Sequence, residues 1–301
     1  MLRYLTGILT LISINVTAVC GVTILTGFTG LFSLGHAAFV SIGAYTAAIL
    51  LKTFHFPFFI ALILAGLVAS VFSLIIGYPT MRGKMQGDYF AIAMLGFAET
   101  VRLALSNIYP YVNGALGISG IPKHSTLETA VMVAAVSVFL TWNYTRSQHG
   151  QIALSIRDEE TAAELIGVNV MWEKIKSLMV SAFFCGIAGC LFACYYTYIS
   201  PNTFSATMSN DFLAAVVFGG MGSLTGPIIA SAFLTTLPEL LRFVDRWRLV
   251  LYGFVMVIVM LFRPEGLMGG KEFSITKLFR AVRRLVFRKA DQKREDSEVF
   301  K

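Results

Sequence analysis

Long apolar segments with few or no charged side chains recur along this chain and constrain its fold more than any other feature. A helix that crosses a lipid bilayer needs about 20 such residues, because each residue adds about 1.5 Å to its length. We therefore expect an all-α fold, a polytopic transmembrane helix bundle with about eight or nine spans, one of them broken or re-entrant. The predicted spans are Leu5–Leu25, Leu31–Leu51, Pro57–Tyr78, Tyr89–Ile108, Thr129–Thr145, Ser177–Ser200, Phe212–Pro238 and Leu249–Phe262.

The composition favours a surface in contact with lipid. Hydrophobic residues make up 56% of the chain and charged residues only 14%, whereas soluble domains carry about 25% charged residues. A water-exposed surface on such a chain would contain large apolar patches. The first segment, Leu5–Leu25, is longer than the core of a signal peptide and lacks an obvious cleavage site, so we interpret it as a retained span.

The net charge of +7 is concentrated near the C-terminus, where Arg263 to Lys301 contain eleven Lys or Arg and six Asp or Glu. Such a local excess does not indicate a nucleic-acid-binding protein, and we expect no nucleic acid partner. In residues 271–301, apolar side chains repeat at helical spacing with basic residues between them. This pattern predicts a basic amphipathic cytoplasmic tail that lies on anionic membrane lipids.

Small side chains in the predicted spans indicate close packing between helices. Small residues recur four positions apart, as in Gly43-Ala47 and Ala182-Gly186, and this spacing favours close backbone approach within one chain over a dedicated dimer face. The cysteines lie in apolar stretches without metal-ligand spacing, so we expect buried, reduced thiols. They are Cys20, Cys185, Cys190 and Cys194.

The positive charges in short loops predict the orientation in the membrane. Arg82 and Lys84 follow the third predicted span and should be cytoplasmic, which places the N-terminus outside. The polar segment 146–176 then lies in the cytoplasm. Three arginines of the segment 242–248 fall on the outer side in this arrangement, against the charge rule.

The span Phe212–Pro238 is interrupted by glycines and a proline between Gly219 and Pro227. Both residue types oppose a continuous helix, and irregular backbone at membrane depth needs protein or a water-filled cavity to satisfy its polar groups. We therefore expect two short helices, 212–218 and 228–241, which form either a re-entrant hairpin or two tilted crossings.

The polar segment 146–176 contains a short helical pattern. Acidic residues at 158–160 suit the start of a helix, and Gly167 suits its end. A helix between two spans cannot bury itself in lipid, so it could insert into a groove on a cytoplasmic partner. From the residues alone, an ordinary solvated helix remains the simpler interpretation.

The spacing of Ala162, Ala163 and Gly167 resembles the coupling loop of ABC-importer permeases, although Thr161 stands where a glutamate is usual. Three other regions resemble the M-type permease subunit of branched-chain amino acid ABC transporters, and the resemblance covers about residues 20–270. These regions are Ser33–Phe39 with Gly43–Thr46, Gly87–Ile92, and Gly219–Pro227 with Leu261–Leu267.

The resemblance implies a transmembrane permease domain, 1–270, of an ATP-driven importer in the inner membrane of a prokaryote. It also implies a sister permease subunit, two cytoplasmic ABC ATPase subunits and an extracytoplasmic amino-acid-binding protein. The chain has no phosphate-binding Gly-x-x-x-x-Gly-Lys-Ser/Thr loop, so ATP and Mg would bind to the partner subunits, and we expect no cofactor or metal in this chain. The tail 271–301 could dock along an ATPase instead of on lipid. The expected coupling residues are Arg157, Asp158, Glu159, Glu160, Ala162, Ala163 and Gly167.

Polar residues and glycines within the spans are candidates for the translocation path or its gating, because ionisable groups at membrane depth are costly. Each has an alternative: an internal ion pair for Glu99 with Arg102, an N-terminal helix acid for Asp88, and a packing role for His36. The candidates are His36, Asp88, Glu99, Arg102, Gly219, Gly220 and Gly222.

Two other function classes compete with the ATP-driven permease. A stand-alone secondary transporter of amino acids would also use broken helices, but the spans show no cluster of carboxylates for a driving ion. An intramembrane enzyme would need paired catalytic groups, which the spans lack. We therefore expect a permease subunit for branched-chain or related amino acids that is not itself an enzyme.

Overall fold

The computed structural model describes residues 2–85, 87–109 and 111–240, and near the C-terminus residues 253–254, 257, 261–262 and 266–268. These residues fall within one compact unit, Met1–Gly270. The fold is all-α, apart from a two-residue antiparallel pairing of β1 (Ile118–Ser119) with β2 (Tyr198–Ile199). The helices are α1 (Leu2–Val22), α2 (His36–Lys52), α3 (Phe58–Arg82), α4 (Asp88–Asn107), α5 (Leu127–Arg146), α6 (Gln148–Asp158), α7 (Glu160–Leu165), α8 (Val170–Tyr196), α9 (Ala206–Gly219) and α10 (Thr225–Leu240).

Five helices in the described part of the chain are long and apolar enough to cross a membrane, and a shorter apolar helix, α2, accompanies them. These helices confirm a polytopic bundle, but they do not confirm a count of eight or nine spans. The five are Tyr4–Phe28, Phe58–Arg82, Asp88–Asn107, Leu127–Arg146 and Val170–Tyr196.

Two predicted boundaries were wrong. The second span was expected from Leu31, but α2 begins at His36, because Gly30 has a positive φ of 76° and the chain turns through residues 31–35. The sixth span was expected from Ser177, but α8 begins at Val170, where the Asn169 side chain accepts a hydrogen bond from the Trp172 amide. The mixed charges of residues 173–176 therefore lie on the first turns of α8.

The first span changes from α-helical to π-helical geometry near its end. After α1, the chain continues as a π-helical turn, Thr23–Phe28, in which all residues are buried. The amide of Thr29 donates to the carbonyl of Ile24, and the amide of Leu31 donates to that of Leu25. Such wider turns are rare and often mark functional positions.

The interrupted element forms two helices, as expected, although both are longer than predicted. Helices α9 and α10 are joined by residues 220–224 and comprise 14 and 16 residues, which corresponds to about 21 and 24 Å. Each is shorter than the hydrocarbon core of about 30 Å. Gly219 belongs to α9, and Gly226 and Pro227 belong to the first turn of α10.

Helices α2, α3 and α8 pack backbone against backbone at the centre of the bundle. A Cβ atom on Gly43 would lie 2.3 Å from the carbonyl oxygen of Gly186, and one on Gly189 would lie 2.0 Å from that of Val40. The small residues therefore serve packing within the chain, as their spacing predicts. All four cysteines are free and buried, as expected.

The loops group at two ends of the bundle. At one end, Lys84 after α3 forms a 3.4 Å ion pair with Glu164 of α7, so the loops predicted to be cytoplasmic do lie together. At the other end, β1 and β2 join the loops that follow α4 and α8. The predicted final span, Leu249–Phe262, falls mostly outside the described residues, and the tail 271–301 falls wholly outside them.

Candidate functional site

The segment 146–176 folds as two short helices and the start of α8. Ser147 caps α6, since its hydroxyl accepts from the Gly150 amide. Asp158 is the last residue of α6, Glu159 links the helices, and Glu160 begins α7. The single helix expected to start with all three acids is therefore divided, and only Glu160 lies at the N-terminus of α7.

A small apolar cluster holds these helices together. Ile156 of α6, Ala163 of α7 and Val170 of α8 are buried against one another. Beside them, the Lys174 ammonium donates to the Glu160 carboxylate at 2.7 Å, and Lys174 is only 5% exposed. Of the two predicted coupling alanines, Ala163 therefore serves this cluster, whereas Ala162 is exposed.

The end of α7 presents an apolar tip. Leu165 is 88% exposed and Ile166 is 77% exposed. Gly167 has a φ of 89°, and its amide donates to the carbonyl of Glu164, so it ends the helix as predicted. Two neighbouring large apolar side chains with this exposure on a polar segment indicate a binding surface.

Arg157 does not extend toward that tip. Its side chain points into the bundle, where Nη1 donates to the carbonyl oxygen of Gly27 at 2.8 Å. It passes between two glycines: a Cβ atom on Gly30 would lie 2.9 Å from Arg157 Cγ, and one on Gly222 would lie 2.7 Å from Arg157 Nη1. Arg157 thus joins the segment 146–176 to the end of the first span and to the turn between α9 and α10.

The Gly27 carbonyl lies at the end of the first span, where carbonyls lack helical partners. In a continuous α-helix, this oxygen would accept from the amide four residues later, at Leu31. Here the Leu31 amide donates to Leu25 instead, so the guanidinium supplies a donor for Gly27. A positive donor on a carbonyl at the end of a helix also opposes the partial negative charge of that end.

The glycine turn, residues 219–226, is packed against protein. Gly220 and Gly222 have positive φ values of 105° and 88°. A Cβ atom on Gly219 would lie 2.2 Å from the Pro227 nitrogen, so α9 and α10 cross here in backbone contact. The amides of Leu267 and Met268 donate to the carbonyls of Phe218 and Gly219, which joins the two stretches of the third region on which the family resemblance rests.

Several predicted path residues have packing or helix-end positions. His36 is fully buried, with Nε2 3.0 Å from the Ser181 hydroxyl and Nδ1 3.4 Å from the Ser33 carbonyl. Asp88 is exposed and is the first residue of α4.

Glu99 and Arg102 form the expected ion pair. The Nη2 and Nε atoms of Arg102 both lie 2.8 Å from Glu99 Oε2. Arg102 Nη1 donates to Asn202 Oδ1, which fixes the C-terminal half of α4 to the chain that precedes α9.

The structure also shows a cavity whose residues were not among the predicted ones. It has a volume of about 360 Å³ and lies between α1, α9 and α10. Its polar residues include Asn15, Asp211 and Thr235, and its apolar ones include Val19, Phe212 and Leu234. A sequence signal existed, because Asn15 is an amide inside an uncharged span and Asp211 immediately precedes one.

Comparison with known proteins identifies the family. The family described as branched-chain amino acid transport system / permease component matches residues 4–260. The chain belongs to this family.

Similar proteins include the high-affinity branched-chain amino acid transport system permease proteins LivM of Salmonella typhimurium, at 33% identity over 82% of this chain, and of Escherichia coli, at 32% over 87%. The matched regions span 66% and 69% of those two relatives. The BraD protein of Pseudomonas aeruginosa is 23% identical over 84% of this chain and 90% of its own length. No solved structure matches the chain.

Membership in this permease family fits the multi-pass membrane fold and identifies the chain as a transport component rather than an enzyme. A component of a transport system implies partner subunits. In this permease, Leu165 and Ile166 of the segment 146–176 are exposed, whereas Arg157 of the same segment contacts Gly27 in the bundle.

Proposed function

We propose that this chain is the membrane-spanning permease subunit of an ATP-driven ABC importer for branched-chain or related amino acids in the inner membrane of a prokaryote. A sister permease subunit, two cytoplasmic ABC ATPases that bind ATP and Mg, and an extracytoplasmic amino-acid-binding protein complete the importer. The family match and the names of the relatives support the substrate class.

The connection between α7 and the spans through Arg157 is the observation that carries the proposal. Leu165 and Ile166 offer an exposed apolar contact to a soluble partner. The cluster around Ala163 and the Glu160–Lys174 pair make α6, α7 and the start of α8 one unit. Arg157 extends from that unit to Gly27 and Gly222.

This arrangement can transmit a movement of the ATPases to the path. When the ATPases close, they shift α7, and Arg157 shifts with it relative to the π-helical turn and the glycine turn. The α9–α10 hairpin then tilts against α1. The permease pair alternates between outward and inward openings, since ATP binds the two states with different affinity.

The test uses the assembled importer in proteoliposomes. Replacement of Leu165 and Ile166 by aspartate should reduce both the amount of ATPase subunit recovered with the permease and ATP-driven leucine uptake by at least ten-fold, because desolvating carboxylates at an apolar contact costs several kcal/mol. The control is Leu116→Asp, which introduces the same charge at a 79% exposed leucine on the opposite end of the bundle.

Normal ATPase recovery and uptake in the tip variant would refute the coupling role of α7. Leucine uptake by the permease alone, driven by an ion gradient and independent of ATP, would refute the proposed function as a whole.

A further inference from the structure

The face of the first span that contacts α10 carries two neighbouring cavities. Apart from the adjacent pair Gly7 and Ile8, the residues of this helix that line them are spaced by three or four positions, so they share one face. The outer cavity, of about 250 Å³, includes Tyr4 and Glu239, and Thr235 lines both cavities. The lining residues on the first span are Tyr4, Gly7, Ile8, Leu11, Asn15 and Val19.

The inner of the two cavities lies near the middle of the span. Asn15 is 11 residues from Tyr4 and 13 residues from Phe28 in the span Tyr4–Phe28, or about 17 Å and about 20 Å from the two ends. Transported solutes commonly bind near this depth, beside interrupted helices. The α9–α10 hairpin forms the opposite wall of the cavity.

The cavity has a carboxylate to bind a cation. Asp211 lines it, and within the described parts of the chain no hydrogen bond or ion pair is present on this side chain. Asp211 is exposed, so its carboxylate is accessible to a ligand, and it lacks a partner among the described residues. An ammonium group of a ligand would supply that partner.

The cavity also has a donor for an anion. Thr235 Oγ1 donates to the Ser231 carbonyl, so the Asn15 Nδ2 group must donate to Thr235 Oγ1, which it does at 2.9 Å. This network fixes the orientation of the Asn15 amide. An amide nitrogen carries two N–H groups, and the second N–H of Asn15 has no partner among the described residues.

The remaining lining is apolar. Val19, Phe212 and Leu234 supply aliphatic and aromatic surface of the kind that binds a branched hydrocarbon side chain. The volume of about 360 Å³ lies in the usual range of small-molecule pockets.

We infer that the cavity between α1, α9 and α10 is a transient binding site for the transported zwitterionic amino acid, with the Asp211 carboxylate on its ammonium group, the Asn15 amide on its carboxylate and the apolar wall on its side chain. The substrate class rests on the proposed function. The charge selectivity of the cavity rests only on the residues that line it.

The first experiment tests the charge selectivity without transport. Met208 lines the cavity without belonging to its hydrogen-bond network, and all four native cysteines are buried. In the Met208→Cys variant, the ratio of the rates with a cationic and an anionic methanethiosulfonate reagent should exceed the ratio for free cysteine at least ten-fold, because the nearby carboxylate attracts the first reagent and repels the second. Asp211→Asn should return this ratio to that of free cysteine, whereas Glu128→Gln, an acid-to-amide change on exposed α5 sequence, should leave it high.

The second experiment measures transport. In the complete importer, Asp211→Asn should lower the maximal rate of ATP-driven leucine uptake at least ten-fold and leave the half-saturating concentration unchanged, since the binding protein sets the latter. Glu128→Gln should leave both values unchanged.

The outcomes separate the two proposals. A rate ratio equal to that of free cysteine, or uptake by Asp211→Asn equal to that by Glu128→Gln, would overturn the cavity assignment and leave the importer intact. An unmodified importer that does not transport branched-chain amino acids would overturn the proposed function and the substrate named for the cavity. The labelling result would still establish or refute a cation-selective site.

Discussion

Helices α2, α3 and α8 contact one another through backbone atoms, whereas α1, α9 and α10 leave two cavities between them. On the first side, glycines such as Gly186 and Gly189 lie where a single methyl group would overlap a neighbouring main chain. On the second side, Gly222 faces the end of a flexible arginine side chain. The difference separates a scaffold, formed by α2, α3 and α8, that resists deformation from a wall, formed by α1, α9 and α10, that encloses cavities although α9 and α10 touch at Gly219.

The first test of this comparison is expected to have the largest effect. Gly189→Ala would place a Cβ atom 2.0 Å from the Val40 carbonyl oxygen and 2.8 Å from the Ala44 amide nitrogen. Because both contacts are with backbone, α2 and α8 must separate, at a cost of about 3 kcal/mol. The loss should appear as a lower yield of monodisperse protein in detergent and a lower melting temperature.

Gly96→Ala is the matched control for this change. Gly96 is also inside a helix, α4, but nothing lies within 4 Å of an added Cβ atom. Alanine has the higher helix propensity, so this variant should be as stable as the unmodified chain or more so. Equal melting temperatures for the two variants would show that α2 and α8 are not rigidly packed.

An intermediate effect is expected at Arg157, which joins the segment 146–176 to the end of the first span and to the turn between α9 and α10. Arg157→Met keeps an unbranched side chain and removes the donor to the Gly27 carbonyl. A hydrogen bond from a charged donor contributes about 2 kcal/mol, so the chain should fold with a modest loss of stability. Uptake should fall at least ten-fold while the assembled importer continues to hydrolyse ATP, because α7 then moves without the spans.

Arg157→Lys refines this prediction. A lysine retains the charge but lacks the planar guanidinium that fits between Gly30 and Gly222, so partial recovery of uptake is expected. Proportional losses of ATP hydrolysis and uptake in the methionine variant would assign Arg157 a structural role alone.

The sequence predicts the scaffold better than it predicts the wall. Uncharged segments and small residues at helical spacing are features of individual helices. Both can therefore be recognised in the sequence without tertiary information. The direction of the Arg157 side chain is not visible in this way, because its acceptor lies 130 residues earlier in the chain. Neither lipid-facing composition nor motif spacing contains that information.

The cavity illustrates a second limit. Asn15 and Asp211 come together because α1 and the α9–α10 hairpin pack against each other, although they are far apart in sequence. The sequence did predict the interruption near Gly219, since glycine and proline act locally. The predicted path residues did not indicate the cavity, which lies along the helices on either side of that turn.

The smallest expected effect concerns Gly167, at the end of α7. Its φ of 89° is unfavourable for residues with a Cβ atom, yet nothing lies within 4 Å of an added Cβ. Gly167→Ala should therefore cost about 1 kcal/mol of backbone strain without any clash. Asparagine tolerates this conformation better than alanine, so Gly167→Asn should cost less. If the strain loosens the tip, limited proteolysis near Leu165 should be faster in the alanine variant than in the asparagine variant, with the melting temperature of the bundle unchanged. Equal proteolysis in both variants would indicate that the apolar cluster around Ala163, rather than the turn at Gly167, holds α7 in place.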